Sequence, residues 1–309
     1  MMKLFPNGDK IFEVLSRYDD LLTLEEREGY EPGDTLALIV PFLILHNISE
    51  DNITTLAVKA GLTGGADKLI SWLQSKGWKV FCISTSYEQY AMHITQKLGI
   101  YAHNVTCTPF PLDKFRLTLC KEDCERLQQA EQDILTMHPV ADDDRIKQSL
   151  DQFFWEKLPA TNLGIALEQV KPVGGRRKVA ALNRFSKTYD QPLSHWIVVG
   201  DSITDFRMLQ AVEAEGGLAI AFNANEYALP YSTMSLASTS LFDLTEVLEA
   251  WLKGHRSRVE KIVNEKEKVG GRGDRSYFHW LSGRKNIDEI IKIHKRIRRL
   301  VREEAGKLG

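Results

Sequence analysis

Apolar positions recur along the chain in two rhythms. In the first sixty residues the spacing is helical, with Ile11, Val14, Leu15 and Tyr18 on one face. Leu36 to Leu45 is predicted as a buried helix, with Gly33-Asp34-Thr35 as its cap. A further amphipathic helix is predicted over 66–76, carrying Ala66, Leu69, Ile70 and Leu73 in one stripe and stopped by Gly77. The rhythm then changes. Lys79-Val80-Phe81-Cys82-Ile83, Trp196 to Val199 and Leu218 to Phe222 are short continuous apolar runs, which suit strands buried on both faces. Weaker strand signal lies at 103–112 and 233–237, and helices are predicted over 88–98, 178–188, 202–214 and 241–252. Strands alternating with helices predict an α/β fold with a parallel sheet.

This pattern divides the chain. Residues 1–64 read as a helical, cap-like region, and 65–103 with 171–250 as the α/β core. Residues 104–170 read as a mostly helical insertion, and 251–309 as a basic helical extension. With 309 residues and 43% hydrophobic content the chain can bury a sizeable core. No apolar run is long enough to span a membrane, since Leu36 to Leu45 is short and holds Pro41. Four cysteines, at 82, 107, 120 and 124, are too few for a disulfide scaffold and lack zinc-site partners, so the expected compartment is the cytoplasm.

Charge is unevenly distributed. From Trp251 onward there are 17 Lys/Arg against 8 Asp/Glu, a balance of +9; with a net charge of −2 overall, the preceding 250 residues carry −11. No nucleic-acid-binding motif accompanies the basic segment, so it is read as a solvated helical face rather than a nucleic-acid site. Its stripe of Ile287, Ile290, Ile291, His294, Ile297 and Val301 predicts an amphipathic helix that packs on the body, on a protein partner or on a second copy of the chain.

The chemistry concentrates at the strand ends, where parallel sheets gather reactive groups. In "IVVGDSITDF" a buried strand stops at Gly200 and opens onto Asp201 and Asp205, with Ser202 between them. Two carboxylates at this spacing can approach one small volume, and such hard oxygen ligands suit Mg²⁺ together with a phosphate. Ser84 brings a hydroxyl to the same sheet edge. Lys178 opens the helix before the Asp201 strand, where a cation neutralises a phosphoryl group.

Together these residues resemble the haloacid dehalogenase (HAD) superfamily of phosphatases. "VFCIS" with Ser84 matches its second motif, Lys178 its third, and Asp201 with Asp205 its acidic fourth; "LAIAFNANEYAL" is similar to the strand that follows. More narrowly, "SRYDD", "GDTLALIVPFL", "ISTSYEQY" and "VVGDSITDF" resemble an archaeal HAD-like group, some of whose methanogen members carry the name of a subunit of energy-converting hydrogenase A. The resemblance implies a Rossmann-like parallel sheet with helical cap insertions. It implies an Mg²⁺-dependent phosphatase or phosphohydrolase acting on a small phosphorylated molecule. Asp201 would coordinate the metal, and Asp205 would support it or orient Lys178. Ser84 would hydrogen-bond the phosphoryl group and Lys178 balance its charge, with Thr85, Ser202 and Asn223 lining the substrate site.

One part of that pattern is missing. The family's first motif is a central apolar strand ending in a nucleophilic Asp, and no such stretch precedes Cys82. Without it, two strand edges would face each other across roughly 10 Å. The expectation is that the chain is inactive as it stands, and that Met1 is an internal start with the strand encoded upstream. The alternative is a non-catalytic HAD-like protein that binds a ligand or partner. "GDSIT" also resembles the first block of GDSL esterases, with Ser202 as nucleophile, but the Asp-x-x-His those enzymes require does not follow.

Overall fold

The computed structural model describes residues 4–139, 142–269 and 276–307. Six strands are present among them. β1 (Cys82–Tyr87) and β2 (Val105–Thr108) form one ladder. β3 (Ile197–Gly200), β4 (Leu218–Phe222), β5 (Met234–Ser238) and β6 (Ser276–Trp280) form a four-stranded sheet in that order. Pairing is parallel from β3 to β5 and antiparallel between β5 and β6. The protein is therefore mixed α/β. No single described helix is long and apolar enough to cross a membrane.

The chain divides into two compact units. The first joins residues 1–59, 84–94 and 106–174, so the N-terminal region and the insertion share one core. Its helices Gly8–Leu24, Val40–Leu45 and Lys121–Met137 contribute Ile11, Leu15, Phe42, Leu43 and Ile134 to that core. The buried helix expected over 36–45 is two short ones, Thr35–Leu38 and Val40–Leu45, meeting at Ile39. Pro41 falls in the first turn of the second, where its missing N–H leaves no bond unmade. Asp19 is buried here; Tyr30 donates its hydroxyl to it at 2.6 Å, and the Gly33 and Thr35 amides reach it at 3.3 Å.

The second unit joins residues 60–83, 95–105 and 175–309 and holds the four-stranded sheet. β4 is buried throughout, and its side chains alternate between two apolar cores as a pleated strand requires. Leu218, Ile220 and Phe222 join Leu69, Leu248 and Trp280 on one face. Ala219 and Ala221 join Leu182, Leu209 and Ile290 on the other.

Three expectations are corrected. The first strand runs over 82–87 rather than 79–83, so Ser84 lies inside β1 and does not end it. Its polar stretch survives as strand because side chains supply bonds: Thr108 Oγ1 donates to the Thr85 carbonyl at 2.6 Å, and Thr85 Oγ1 to the Val173 carbonyl at 2.9 Å. The helix expected from Ser202 starts at Phe206. Residues 251–309 are not wholly helical. β6 interrupts them and buries Phe278 and Trp280 at alternate positions, the signature of a half-buried strand.

Candidate functional site

The site lies in the second unit and begins with the end of β3. A side chain on Gly200 would place its Cβ 2.6 Å from Asp205 Cβ, closer than carbon atoms pack. Glycine at that position lets the chain fold back on itself within five residues. Asp205 sits just before the helix Phe206–Ala214, yet its carboxylate does not cap that helix. It turns back to the turn after β3. Oδ2 accepts from the Asp201 amide at 3.0 Å, and from the amide and hydroxyl of Ser202 at 3.2 Å each.

Oδ1 takes the remaining bond. Lys178, in the first turn of the helix Gly175–Thr188, donates its ammonium to Asp205 Oδ1 at 2.7 Å. Both side chains are 7% exposed. Burial pushes the Asp205 carboxyl up, but the Lys178 charge and hydrogen bond, with the Asp201 and Ser202 amides, outweigh it and hold the group below the usual carboxylate range. The Gly175 amide donates to the Thr204 carbonyl at 3.0 Å and ties the start of the lysine's helix to the same turn. Cys82 also feels this charge: burial raises its thiol, and Lys178 pulls it partly back down.

Asp201 differs from Asp205. Its side chain is 52% exposed, and Arg298 Nη2 lies 3.1 Å from Oδ2. Arg298, on the helix Asp288–Lys307, also donates Nη1 to the carbonyls of Asp201, at 2.8 Å, and Asn223, at 3.2 Å. One guanidinium thus braces the ends of β3 and β4. The Asn225 backbone amide also donates a hydrogen bond to the Asp201 carbonyl at 2.9 Å.

The predicted site residues therefore divide. Lys178, Asp201, Ser202 and Asp205 come together within one turn and one helix start. Asn223, at a left-handed φ of 46°, uses its side-chain amide on Ser238, accepting from N at 2.9 Å and donating to O at 2.7 Å. It fastens the loop after β4 to β5. Ser84 and Thr85 belong to the first unit, where Ser84 Oγ accepts from the Ser86 amide at 3.1 Å.

The donor set also bears on Mg²⁺. Both oxygens of Asp205 accept hydrogen bonds, Oδ1 from Lys178 and Oδ2 from the turn, an arrangement that orients the lysine. Asp201 remains, with a guanidinium against it. Among the described residues no group of three or more His, Cys, Asp or Glu side chains is placed to hold a metal ion.

Arg298 was not foreseen from sequence. Its signal was its place directly beside Ile297 in the apolar stripe, which puts it at the margin of the face that packs on the sheet.

Fold and site together define a mixed α/β protein with a buried lysine–aspartate pair at the end of a parallel strand. No protein family matches the sequence, and no curated protein matches it. Among solved structures, that of gene product AF1437 from Archaeoglobus fulgidus is similar, with 27% sequence identity and a TM-score of 0.83. The similarity covers 100% of this chain and 92% of that one.

Proposed function

We propose that this chain is a HAD-like protein whose Lys178 pocket receives the phosphoryl group of a small phosphorylated molecule and does not hydrolyse it unaided. The observation that carries the reading is the state of Lys178. An ammonium has three N–H donors. The Asp205 bond engages one of them in a buried setting, where the remaining donors favour an anionic acceptor. Asp205 aims the lysine. Any Mg²⁺ arriving with the phosphate would rest on Asp201 and on phosphate oxygens and water, in keeping with that ion's use of one or two carboxylates.

Turnover is a separate matter. Covalent phosphoryl transfer needs a nucleophile beside the lysine, and no apolar strand ending in Asp precedes Cys82 in this sequence. Titration with inorganic phosphate, followed by calorimetry with and without Mg²⁺, tests the binding step. Lys178→Met is expected to weaken binding at least tenfold. Incubation with an aryl phosphate and Mg²⁺ tests the second step, where no turnover is expected. Phosphate binding that survives Lys178→Met would overturn the pocket, and steady release of the phenol would overturn the lack of hydrolysis. An ester substrate whose hydrolysis vanishes with Ser202→Ala would replace the reading altogether.

A further inference from the structure

The first unit contains a groove of its own. The helices Lys121–Met137 and Asp143–Asp151, the π-helix Gln152–Lys157 and the turn that follows it form its walls. Its volume is about 490 Å³, within the range of sites that hold a small molecule. The floor is apolar: Leu127, Ala130, Leu150, Phe153, Leu158 and Leu163 line it, and all are buried. Protein interiors pack as densely as organic crystals, so an apolar concavity of this size among packed helices needs a cause.

Two backbone features shape the groove. The first is the π-helix, in which the Leu158 amide donates to the Phe153 carbonyl at 2.9 Å, five residues back. Such turns are rare and recur at functional sites. The second is the turn beyond it. Thr161 donates its hydroxyl to the Leu158 carbonyl at 2.7 Å and accepts from the Gly164 amide at 2.9 Å. A Cβ on Gly164 would lie 2.0 Å from the Leu158 carbonyl oxygen, so only glycine lets this turn close. The end wall is therefore fixed before any ligand arrives.

The rim is polar, and its unmet hydrogen-bonding capacity is mostly cationic. Asp123 is buried and accepts from the Cys120 amide at 3.5 Å, at the N-terminus of its helix, where free amides favour a negative charge. Asp133 accepts from the Gln129 side-chain amide at 2.8 Å. Lys157 donates to Gln152 Oε1 at 3.0 Å, a neutral partner that leaves its charge uncompensated. Arg126 lines the groove with no hydrogen-bonded partner among the described residues, and a guanidinium carries five N–H donors in a planar fork.

We propose that this groove binds a single-chain aliphatic carboxylate, with its chain along the apolar floor and its head on Arg126, supported by Lys157. The lining residues run from Asp123 to Asp133 on one helix, roughly 15 Å at 1.5 Å per residue, so the occupant is long and not compact. The guanidinium fork matches a carboxylate through two parallel bonds. An alkyl phosphate monoester shares that chemistry, and the test separates the two. The inference does not rest on the reading of Lys178.

The test is calorimetric titration of the full chain with dodecanoate below its micelle concentration. Saturable one-to-one binding is expected. Arg126 is exposed, so Arg126→Gln should leave the thermal midpoint unchanged while weakening binding about tenfold or more. Ala160, exposed at the mouth, becomes a plug in Ala160→Trp, which should abolish binding. If that variant lowers the thermal midpoint, Lys157→Gln replaces it, with a smaller loss of affinity expected. Lys178→Met should leave dodecanoate binding unchanged, which separates this site from the phosphate pocket. Absence of saturable binding overturns the proposal, as does binding that survives the variants at 126 and 160 unaltered. Dodecanol binding as tightly as dodecanoate removes the role of charge and overturns it too. Dodecyl phosphate binding more tightly than dodecanoate assigns the groove to a phosphate monoester and overturns the carboxylate.

Discussion

Asp19 in the first unit and Asp205 in the second are both nearly inaccessible, at 6% and 5% exposure, yet their carboxyl groups are driven in opposite directions. Burial raises Asp19 from the ordinary 3.8 to about 6, because the hydroxyl of Tyr30 and the amides that reach it are dipoles and carry no full charge. Asp205 is held below the usual range because Lys178 stands against it. Equal burial of one residue type thus gives one carboxyl that resists ionisation and one that stays ionised. The first unit uses its acid to pin the loop at 30–35. The second uses its acid to hold a cation at the end of a strand.

The largest effect that would test this contrast comes from removing one charge of the pair. Asp205→Ala leaves Lys178 buried without a counter-charge, and should cost about 3–5 kcal/mol in urea unfolding. Lys178→Met combined with Asp205→Leu should recover more than half of that loss. Asp19→Asn at pH 7 should cost far less, because the carboxylate it removes has no buried cation to strand. A loss at Asp19 as large as that at Asp205 would end the comparison.

The two units should also respond to pH with opposite signs. Folded Asp19 keeps its proton to about pH 6, whereas the unfolded chain releases it near 3.8. Stability of the first unit therefore falls as pH rises from about 4 to 6, on the order of 3 kcal/mol for this group. His294 in the second unit behaves in reverse. Burial, and then the charges of His279 and Arg298, lower it from 6.5 to about 3. Its Nδ1 accepts from the Ala224 amide at 2.9 Å, so the folded ring stays neutral. The unfolded chain takes up a proton below 6.5, and the second unit loses stability as pH falls from there towards 3. Amide exchange in the helix Gly8–Leu24 and in β4, followed from pH 7 to 4, should diverge. Asp19→Asn should flatten the first trend, and His294→Asn, which keeps an acceptor for Ala224, the second.

Smaller changes sharpen the site itself. Gly200→Ala forces a Cβ against Asp205 and should cost about 1–3 kcal/mol, with phosphate affinity reduced as Lys178 loses its aim. Arg298→Gln removes a partly exposed bridge and should cost about 1 kcal/mol or less in stability, while speeding amide exchange at Asn225.

Much of the second unit was legible in sequence because its strands are short and apolar on both faces, which leaves little choice of structure. Trp196 to Val199 and Leu218 to Phe222 show this, and the glycine and two carboxylates after β3 marked a site. β1 was harder. Its polar centre reads as a strand end, and it continues as strand because Thr85 and Thr108 supply bonds from residues distant in the chain. β6 carried a signal, the aromatic run Tyr277, Phe278 and Trp280, within a segment whose charge drew attention to helix instead.

Local pattern and composition by themselves determined the alternation of strands and helices, the amphipathic C-terminal stripe and the residue types gathered at Gly200 to Asp205. Those depend on spacing along the chain, which the chain carries with it. Tertiary structure alone decided that residues 1–59 and 106–174 share a core, that Asp205 Oδ2 turns back to the Asp201 and Ser202 amides, and that Arg298 spans Asp201 and Asn223. Each of these depends on which groups meet across long sequence separations, and charge and hydrogen bonding act through distance in space.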